Sequence, residues 1–333
     1  MSKNNKSHSA RESLAQWLSY LETIHLTEID LGLTRIAKVA KRLNIDFSFA
    51  QVITVAGTNG KGTTCAFIEN ALLASDKTVA VYSSPHIENF NERLRINNID
   101  IDDQSLIDAF EKIEQQREDI SLTYYEYTTL AAFLVLMEVQ PAVIILEVGL
   151  GGRLDATNFI NADIAVITTI DLDHQAYLGN TRESIGFEKA GIMRANRNVV
   201  IGDTSCPKSV LAHAKDLNAI VSLRESEFSV KQQNVVSNDS CQSLWHWQFG
   251  DQYIKDLNKP YIPQDNVATA LTVLALLTDF SFVLNTNSIN VLIEKTKVAG
   301  RTELITTENL NCPVLLDVGH NPQAARYLVE YLK

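Results

Sequence analysis

The chain has 333 residues, of which 45% are hydrophobic and 21% are charged, the proportions of a globular protein with ample material for a core. This length predicts one large domain plus a second domain or part of one. The formal net charge of −11 argues against a broad nucleic-acid surface, and no uncharged run approaches the roughly 20 residues that span a bilayer. We therefore expect no nucleic-acid partner and no membrane association, while a few local cations suffice for a phosphorylated small molecule.

The pattern predicts neither a signal sequence nor a disulfide framework, the two features typical of secreted proteins. The first residues, MSKNNKSHSA, are polar and include no apolar segment typical of a signal peptide. The cysteines lie far apart without C-x-x-C spacing, which favours reduced thiols over disulfides or a zinc site. They are Cys65, Cys206, Cys241 and Cys312. These observations predict a cytoplasmic protein.

The first two thirds of the chain predict an α/β fold. Apolar positions at helical spacing indicate an N-terminal helix in SARESLAQWLSYLETI, where Ser9 and Glu12 resemble a capping box, and a second helix in RIAKVAKRL. Apolar runs then alternate with helical patterns, which predicts a mostly parallel sheet with helices on both faces and ligands at the carboxyl ends of its strands. The predicted strands are Val52–Ala56, Thr78–Tyr82, Val143–Val148, Ile164–Thr169 and Asn198–Ile201, with helices at Thr64–Ala74, Asp103–Glu114 and Thr128–Val139.

The last third predicts a small antiparallel sheet on the same domain, then helices, then the start of a second domain. Because a lone strand and helix cannot bury a core, we expect residues 1–300 to form one domain and residues 301–333 to begin a second domain that lacks on the order of 100 residues. The antiparallel strands are predicted within Glu225–Tyr253, and helices at Gln264–Thr278, Ser288–Lys297 and Gln323–Lys333.

The segment ITVAGTNGKGTT joins the first predicted strand to the next helix through a turn rich in glycine. Glycines let backbone N–H groups converge on an anion, a lysine adds positive charge, and hydroxyl oxygens can reach a metal. The turn therefore predicts a phosphate cradle. Its spacing departs from the ordinary Walker A pattern, because Gly57 is only three residues before Gly60 and a glycine separates Lys61 from Thr63. Considered alone, the turn leaves a ligand-free strand-to-helix connection open.

Four further segments, at or after predicted strand ends, carry Ser84, Glu147, His174 and Lys189. A hydroxyl, a carboxylate and an imidazole converging near phosphates would complete a magnesium site. Each also has an ordinary structural reading: Ser84 starts a turn before proline, Glu147 pairs with Arg153, His174 caps the next turn, and the lysine forms a helix ion pair. Their joint occurrence at successive strand ends favours the ligand site.

The segments GTNGKGT, SSPH, LEVGLGGRLDATN, LDH and ESIGFEKAGI, in this order, resemble the Mur ligase superfamily and specifically the folylpolyglutamate synthases in their bacterial form, bifunctional with dihydrofolate synthase. The resemblance runs from about Trp17 to the last residue. It implies a P-loop-type Mur ligase central domain, followed by the start of a truncated Rossmann-like C-terminal domain. It also implies a monomeric ATP-dependent ligase that joins L-glutamate to dihydropteroate and to reduced folates through an acyl phosphate, releasing ADP and phosphate, with Mg²⁺.

The same resemblance implies roles for individual residues. Ser84, Glu147 and His174 would hold Mg²⁺, Lys189 would be carbamylated, and Asn266 would meet the adenine. The implied catalytic residues are Lys61, Glu147, His174, Lys189 and Arg301. The implied nucleotide-binding residues are Gly57, Thr58, Asn59, Gly60, Lys61, Gly62, Thr63, Asn266, Arg301, Asp317 and His320. The implied folate-binding residues are Asp30, Leu31, Gly32, Thr123, Tyr124, Tyr125, Glu126, Leu154, Asp155 and Ala156.

Two positions depart from the family pattern, and two alternative functions stay open. Ala299 stands where the family usually has proline, and Tyr125 where it commonly has phenylalanine. For Asp317 the ordinary alternative is a strand-end turn in which its carboxylate accepts local amides. The alternative functions are a ligase of UDP-linked cell-wall precursors, and a nucleotide- or folate-binding remnant without ligase activity.

Overall fold

The computed structural model describes residues 11–237, 240–277, 284–306 and 312–332. Its strands are β1 (Gln51–Ala56), β2 (Val79–Tyr82), β3 (Leu94–Ile96), β4 (Ile99–Asp100), β5 (Val143–Glu147), β6 (Ile164–Ile167), β7 (Asn198–Ile201), β8 (Ile220–Leu223), β9 (Phe228–Ser237), β10 (Ser240–Phe249), β11 (Gln252–Asn258), β12 (Glu303–Ile305) and β13 (Val314–Leu316). Its helices are α1 (Leu14–Leu21), α2 (Thr34–Arg42), α3 (Lys61–Leu73), α4 (Asp103–Arg117), α5 (Tyr124–Val139), α6 (Gln175–Leu178), α7 (Arg182–Ala190), α8 (Lys208–Asp216), α9 (Gln264–Leu276), α10 (Thr286–Lys295) and α11 (Pro322–Tyr331).

The main sheet places the ends of its central strands at one edge. Strands β2, β5, β1, β6, β7 and β8 lie side by side in that order and run parallel, and the hairpin of β3 and β4 extends the sheet beyond β2. Strand β1 is central, and its register aligns Val55 with Glu147 of β5 and Ala56 with Ile167 of β6. The predicted parallel α/β sheet is confirmed, and its carboxyl edge lies where the phosphate turn leads into α3.

Three apolar cores cover the two faces of this sheet. Successive residues of β1 face opposite sides, so that Ile53 is buried with α3, α9 and the antiparallel sheet of β9, β10 and β11, whereas Val52 is buried with α1, α2, α4 and α5. Trp245 and Trp247 of β10 are both buried in the first core. The strands between the cores are apolar on both faces, which is why they read as continuous hydrophobic runs.

Strand positions agree with the sequence-based expectation to within one or two residues, and helix starts agree less well. Helix α1 begins at Leu14, and the side chain of Ser13 accepts the Gln16 N–H at 3.4 Å, so the predicted cap at Ser9 and Glu12 is wrong about where the helix begins. Ser9 itself lies outside the described residues. Helix α5 begins at Tyr124, four residues before the predicted start, because Thr123 is its N-cap.

The segment from residue 301 onward forms a two-stranded antiparallel sheet of β12 and β13 followed by α11. It joins the larger part of the chain through Gly300, whose carbonyl accepts the Val318 N–H at 2.9 Å, and through Thr302, whose hydroxyl donates to the Tyr261 carbonyl at 2.8 Å. Helix α11 has no buried residue, so it makes no core of its own. The boundary at residue 301 stays a prediction.

Two further sequence expectations concern membranes and thiols. Within the described ranges, no helix combines the length and apolarity needed to cross a bilayer. Cys65, Cys206 and Cys312 are free thiols, of which Cys65 is fully buried.

Candidate active site

The glycine-rich turn lies between β1 and α3 and is held against the end of β6. The Thr58 N–H donates to the Thr169 carbonyl at 2.7 Å, and the Asn59 N–H donates to Thr169 Oγ1 at 3.1 Å. A Cβ at Gly57 would lie 1.8 Å from Thr168 Oγ1, so only glycine allows this approach. We call residues 57–63 the phosphate loop.

The second glycine of the phosphate loop is required by backbone conformation and by packing. Gly60 has φ +87°, and a Cβ there would lie 2.5 Å from Asn266 Oδ1. The amide nitrogen of Asn266 donates to Thr63 Oγ1 at 2.8 Å. The structure therefore places Asn266 against the phosphate loop itself, while its predicted contact with adenine stays a prediction.

Lys61 and Glu147 carry opposite charges beside the phosphate loop. The Lys61 ammonium folds back to the Gly57 carbonyl at 3.1 Å. Glu147 is the last residue of β5, is 6% exposed, and its Oε2 lies 3.7 Å from the Cβ position of Gly62. Burial raises the pKa of Glu147, whereas the charges of Lys61 and Arg301 and the N–H of Ser84 oppose that rise. A buried carboxylate next to an anion-binding loop is suited to a cation.

Gly62 of the phosphate loop and Glu147 line a cleft of about 1230 Å³, larger than most small-molecule pockets. Ser84, which precedes a cis proline, lines the cleft with Gly62, Glu147, Arg301 and His320. Arg153 is paired with Glu188 at 2.9 Å instead of with Glu147, so the ordinary reading of Glu147 as an ion-pair partner of Arg153 is wrong. The structure thus brings Lys61, Ser84, Glu147 and Arg301 together.

Lys189 is a buried amine in the last turn of α7. It is 4% exposed, and burial lowers its pKa from 10.5 to about 7, with the nearby charge of Lys61 acting in the same direction and Asp173 and Asp155 opposing. No hydrogen bond or ion pair to its Nζ is formed within the described part of the chain. A neutral amine at neutral pH is a nucleophile that can take up CO₂.

His174 lies in a different group from Glu147. One ligand atom each from Asp173, His174 and His320 lies within 4.8 Å of the others, and Glu147 is not a member of this group. His174 has a left-handed backbone (φ 47°) and precedes α6 as its N-cap residue, without a side-chain capping bond. The meeting of all three predicted magnesium ligands at one point stays a prediction.

Asp317 is engaged by its own surroundings. One oxygen accepts the Thr302 N–H at 2.8 Å and the other accepts the Gly319 N–H at 2.7 Å. In this arrangement Asp317 orders the turn between β13 and α11, as the ordinary alternative for this residue proposed. His320 beside it is exposed, and its Nε2 lies 3.7 Å from Asp173 Oδ2.

The predicted folate segments are joined by a residue that the sequence reasoning did not single out, Arg35. Its guanidinium donates to Asp30 Oδ2 at 2.6 Å and contacts Glu126 Oε1 at 3.2 Å, which links the loop before α2 to the start of α5. Glu126 is buried and accepts the Thr123 N–H at 2.8 Å as part of a capping box. Leu31 and Gly32 are half-buried on the same loop. An arginine in the first turn of a helix, five residues after an aspartate, was the available signal.

Aromatic residues line the other side of these segments. Tyr125 stacks with Tyr82 at a centroid distance of 6.3 Å, and its ring carbon Cζ would lie 2.7 Å from a Cβ on Gly149. Its hydroxyl is buried near Ser84 without a well-formed hydrogen bond, and burial raises its pKa. Asp155 is buried beside Ala156 and caps a short turn by accepting the Thr157 N–H at 2.9 Å. Tyr124 and Leu154 are half-buried.

Comparison with known proteins gives one consistent result. The family model of the Mur ligase middle domain matches residues 55–277. The dihydrofolate synthase/folylpolyglutamate synthase of Haemophilus influenzae is 42% identical, with 99% of this chain and 76% of the relative covered, and that of Escherichia coli is 42% identical, with 97% and 74% covered.

Solved structures give the same picture. E. coli FolC in complex with DHPP and ADP matches with a TM-score of 0.87 and 41% identity, covering 97% of this chain and 75% of that one. A bifunctional folylpolyglutamate synthase/dihydrofolate synthase with Mn, AMPPNP and L-glutamate bound matches with a TM-score of 0.86 and 42% identity, covering 97% and 75%. With a phosphate loop, a buried strand-end carboxylate and this degree of identity over nearly its whole length, the chain belongs to the dihydrofolate synthase/folylpolyglutamate synthase family of Mur ligases, which are ATP-dependent acid–amino-acid ligases.

Proposed function

We propose that this chain joins L-glutamate to dihydropteroate, and further glutamate to reduced folates, at the expense of ATP. The observation that carries the proposal is the convergence of Ser84, Glu147 and Arg301 on one cleft beside the phosphate loop, with the charge of Lys61 acting on Glu147. The ligands named for the similar structures, ADP with DHPP in one and AMPPNP with Mn and L-glutamate in another, are of the kinds that this site would hold.

The phosphate loop would receive the phosphates of ATP. Its residues, together with Arg301 from the segment after α10, would neutralise the charge of the terminal phosphates, and Asn266, Asp317 and His320 would complete the nucleotide site. Mg²⁺ prefers oxygen ligands, and the buried carboxylate of Glu147 with the Ser84 hydroxyl fits that preference, with His174 as the third proposed ligand. When bound, the metal would supply positive charge beside the phosphates.

The reaction has two steps in which the protein mainly positions and neutralises. An oxygen of the substrate carboxylate attacks the γ-phosphorus of ATP, the bond from that phosphorus to the bridging oxygen breaks, and ADP leaves. The amine nitrogen of glutamate then attacks the acyl carbon, phosphate departs with the former carboxylate oxygen, and the nitrogen loses a proton to form the amide. Lys61 and Arg301, whose charges act on Glu147, would offset the developing negative charge.

Lys189 would carry a carbamate, formed when its neutral amine adds to CO₂ and releases a proton. The support is its burial and its pKa of about 7, which leaves a large neutral fraction at physiological pH. The carbamate would turn a cationic side chain into an anionic one close to Asp173 and Lys61. Turnover that is unchanged both in bicarbonate-free buffer and in Lys189→Ala would contradict this role.

The folate end of the substrate would lie between the loop at Asp30 to Gly32, the start of α5 and the turn at Leu154 to Ala156. The support is the contact of Arg35 with both Asp30 and Glu126, and the half-buried ring of Tyr125. A pterin needs an apolar slot with a few polar anchors, and Tyr125 and Arg35 are side chains of these two kinds. A monomeric, cytoplasmic enzyme with Mg²⁺ completes the proposal.

A coupled assay of ADP release tests the function. We expect release only when ATP, dihydropteroate and L-glutamate are all present, and a product heavier than dihydropteroate by one glutamate residue. A chain that binds nucleotide and pteroate without turnover would be the binding remnant. Release that requires a UDP-linked cell-wall precursor would replace the folate assignment, which the names of the close relatives disfavour.

A further inference from the structure

The side chain of Asn59 in the phosphate loop is held by the residues that open α11. Its amide nitrogen donates to Asn321 Oδ1 at 3.0 Å and to Gln323 Oε1 at 2.6 Å, and its Oδ1 accepts from the Asn321 amide nitrogen at 3.0 Å. A primary amide has two N–H donors. Both donors of Asn59 are therefore committed to residues more than 260 positions away in the chain.

The two partners are fixed in turn. Asn321 is the N-cap of α11, and its Oδ1 also accepts the Ala324 N–H at 3.0 Å. Gln323 Oε1 also accepts from Thr169 Oγ1 at 3.1 Å, at the end of β6. We call Asn59, Thr169, Asn321 and Gln323 the Asn59 junction. Hydrogen bonds in such a shared network support one another and favour a single arrangement.

The junction reaches the main chain of the phosphate loop as well as its side chain. The Asn59 N–H donates to the same Thr169 hydroxyl that contacts Gln323, and the Asn59 carbonyl accepts from Thr168 Oγ1 at 2.6 Å. Backbone N–H groups can receive phosphate only if the loop holds its shape. Gln323 therefore influences that shape by two routes, through the Asn59 amide and through Thr169.

We propose that Asn321 and Gln323 are positioning residues for the nucleotide phosphates, an inference that rests on the proposed role of the phosphate loop. They hold Asn59, and through it the loop, in the phosphate-receiving arrangement. Because coupling between two binding events is reciprocal, the seating of residues 312–332 on the sheet edge and the binding of nucleotide strengthen each other.

A purely structural role would be to dock α11 on the sheet, and the chain offers a matched control for it. Arg326 lies one turn further along α11 and pairs with Asp171 at 2.6 Å. This ion pair anchors the same helix and does not involve Asn59; it approaches the phosphate loop through the Asp171 backbone, whose N–H donates to Thr58 Oγ1 at 3.0 Å. Arg326→Ala therefore loosens the docking while leaving the Asn59 junction intact.

Calorimetric titration of the whole chain with ADP and Mg²⁺ tests the proposal. Gln323→Met keeps the length of the side chain and removes its amide, and we expect it to weaken ADP binding about tenfold. We expect Arg326→Ala to weaken it by less than about twofold. In an Asn59→Ala background, Gln323→Met should have a clearly smaller effect, because only the route through Thr169 is left. In steady-state turnover, Gln323→Met alone should raise KM for ATP and leave kcat at saturating ATP unchanged.

Several outcomes overturn the proposal. Equal losses in Gln323→Met and Arg326→Ala, or additive losses in the double variant with Asn59→Ala, mean that Gln323 only docks the helix. If Gln323→Met does not fold, Thr169→Val removes the hydroxyl of the same junction from the sheet side, and unchanged ADP affinity there is equally contradictory. A wild-type chain that does not bind ADP defeats the proposed function and this inference with it, whereas binding with additive losses defeats the positioning role alone.

Discussion

The phosphate side and the folate side of the candidate site are held by different kinds of interaction. The phosphate loop is tied to the end of β6 by backbone hydrogen bonds, such as Thr58 N–H to the Thr169 carbonyl at 2.7 Å, and by glycines that admit no side chain, and the Asn59 junction adds side-chain bonds to this backbone frame. The folate side is held by side chains, with Arg35 joining exposed Asp30 to buried Glu126 between segments 91 residues apart.

This difference predicts which substitutions each side of the site can tolerate. On the phosphate side, backbone hydrogen bonds fix the charged groups at the ends of parallel strands. Removing one of these charges therefore removes a preorganised electrostatic effect that no neighbouring side chain can replace. A side-chain frame can be re-formed by other residues, so that its loss changes the affinity for one substrate and leaves the chemistry in place. The predictions below test this division.

The largest effect is expected for Glu147→Gln on the phosphate side. Removing the buried carboxylate while keeping its shape should lower kcat by about a hundredfold to a thousandfold, because it removes a preorganised charge from the reacting end of the cleft. Steady-state ADP release at saturating substrates measures this.

The matched control is Glu69→Gln on α3, which lines the same cleft and is likewise buried, but pairs with Arg95 at 2.8 Å. We expect Glu69→Gln to affect the free energy of unfolding more strongly than it affects kcat. Similar kcat losses in both variants would mean that the cleft needs negative charge in general, and the assignment of a special role to Glu147 would fail.

The next effect concerns pH and the buried amine of Lys189. Its folded-state pKa of about 7 lies below the ordinary 10.5, so between these values the unfolded chain binds a proton that the folded chain does not. The free energy of unfolding should therefore rise with pH across this window by at most about 1.4 kcal/mol per pH unit relative to Lys189→Met, and be flat below pH 7. Denaturant unfolding in CO₂-free buffer measures the difference between the two proteins.

Added bicarbonate sharpens this measurement. If the amine forms a carbamate in the folded state, bicarbonate should stabilise the wild-type chain and leave Lys189→Met unchanged. Parallel pH profiles for the two proteins would instead show that Lys189 has an ordinary pKa and is not the modified residue.

On the folate side, Arg35→Ala should raise KM for dihydropteroate about tenfold, the cost of losing a charged hydrogen bond that orders the slot, while KM for ATP stays constant. Arg42→Ala is the control, because Arg42 lies on the same helix and pairs with exposed Glu118 away from the folate segments. A change in KM for ATP as large as that for dihydropteroate would show that the two sides are not independent.

The same division decides what the sequence could predict. The strand Asn198–Ile201 was predicted to the residue, because its last three residues are apolar and buried, as is typical of a parallel strand covered on both faces. The phosphate loop was found because glycine and lysine carry their chemistry in local spacing. The β3–β4 hairpin was missed although Asn97 and Asn98, with φ values of 52° and 63°, form a turn typical of hairpins, since its strands are too short for periodicity.

The contacts of Arg35 and of Asn59 could not be predicted in the same way. Both depend on tertiary proximity between residues far apart in sequence, and no local pattern reports which partners meet. The start of α5 was placed too late for a different reason. Its first turn is polar and aromatic, and it is defined by the capping box of Thr123 and Glu126 instead of by an apolar stripe.

The smallest effect is expected for Tyr125→Phe, which introduces the phenylalanine that is common at this position in the family. The buried hydroxyl has no well-formed hydrogen bond in the described part of the chain, so removing it should raise the free energy of unfolding by up to about 1 kcal/mol and change KM for dihydropteroate by less than about threefold. Tyr127→Phe on the same helix is the control, because its hydroxyl lies 3.0 Å from the Phe110 carbonyl and from Glu114 Oε2 and should be costly to remove. If the two variants are destabilised equally, the Tyr125 hydroxyl has a hydrogen-bond partner in solution. The folate side is then more polar than the structure indicates, and it is held by more side-chain contacts than those of Arg35.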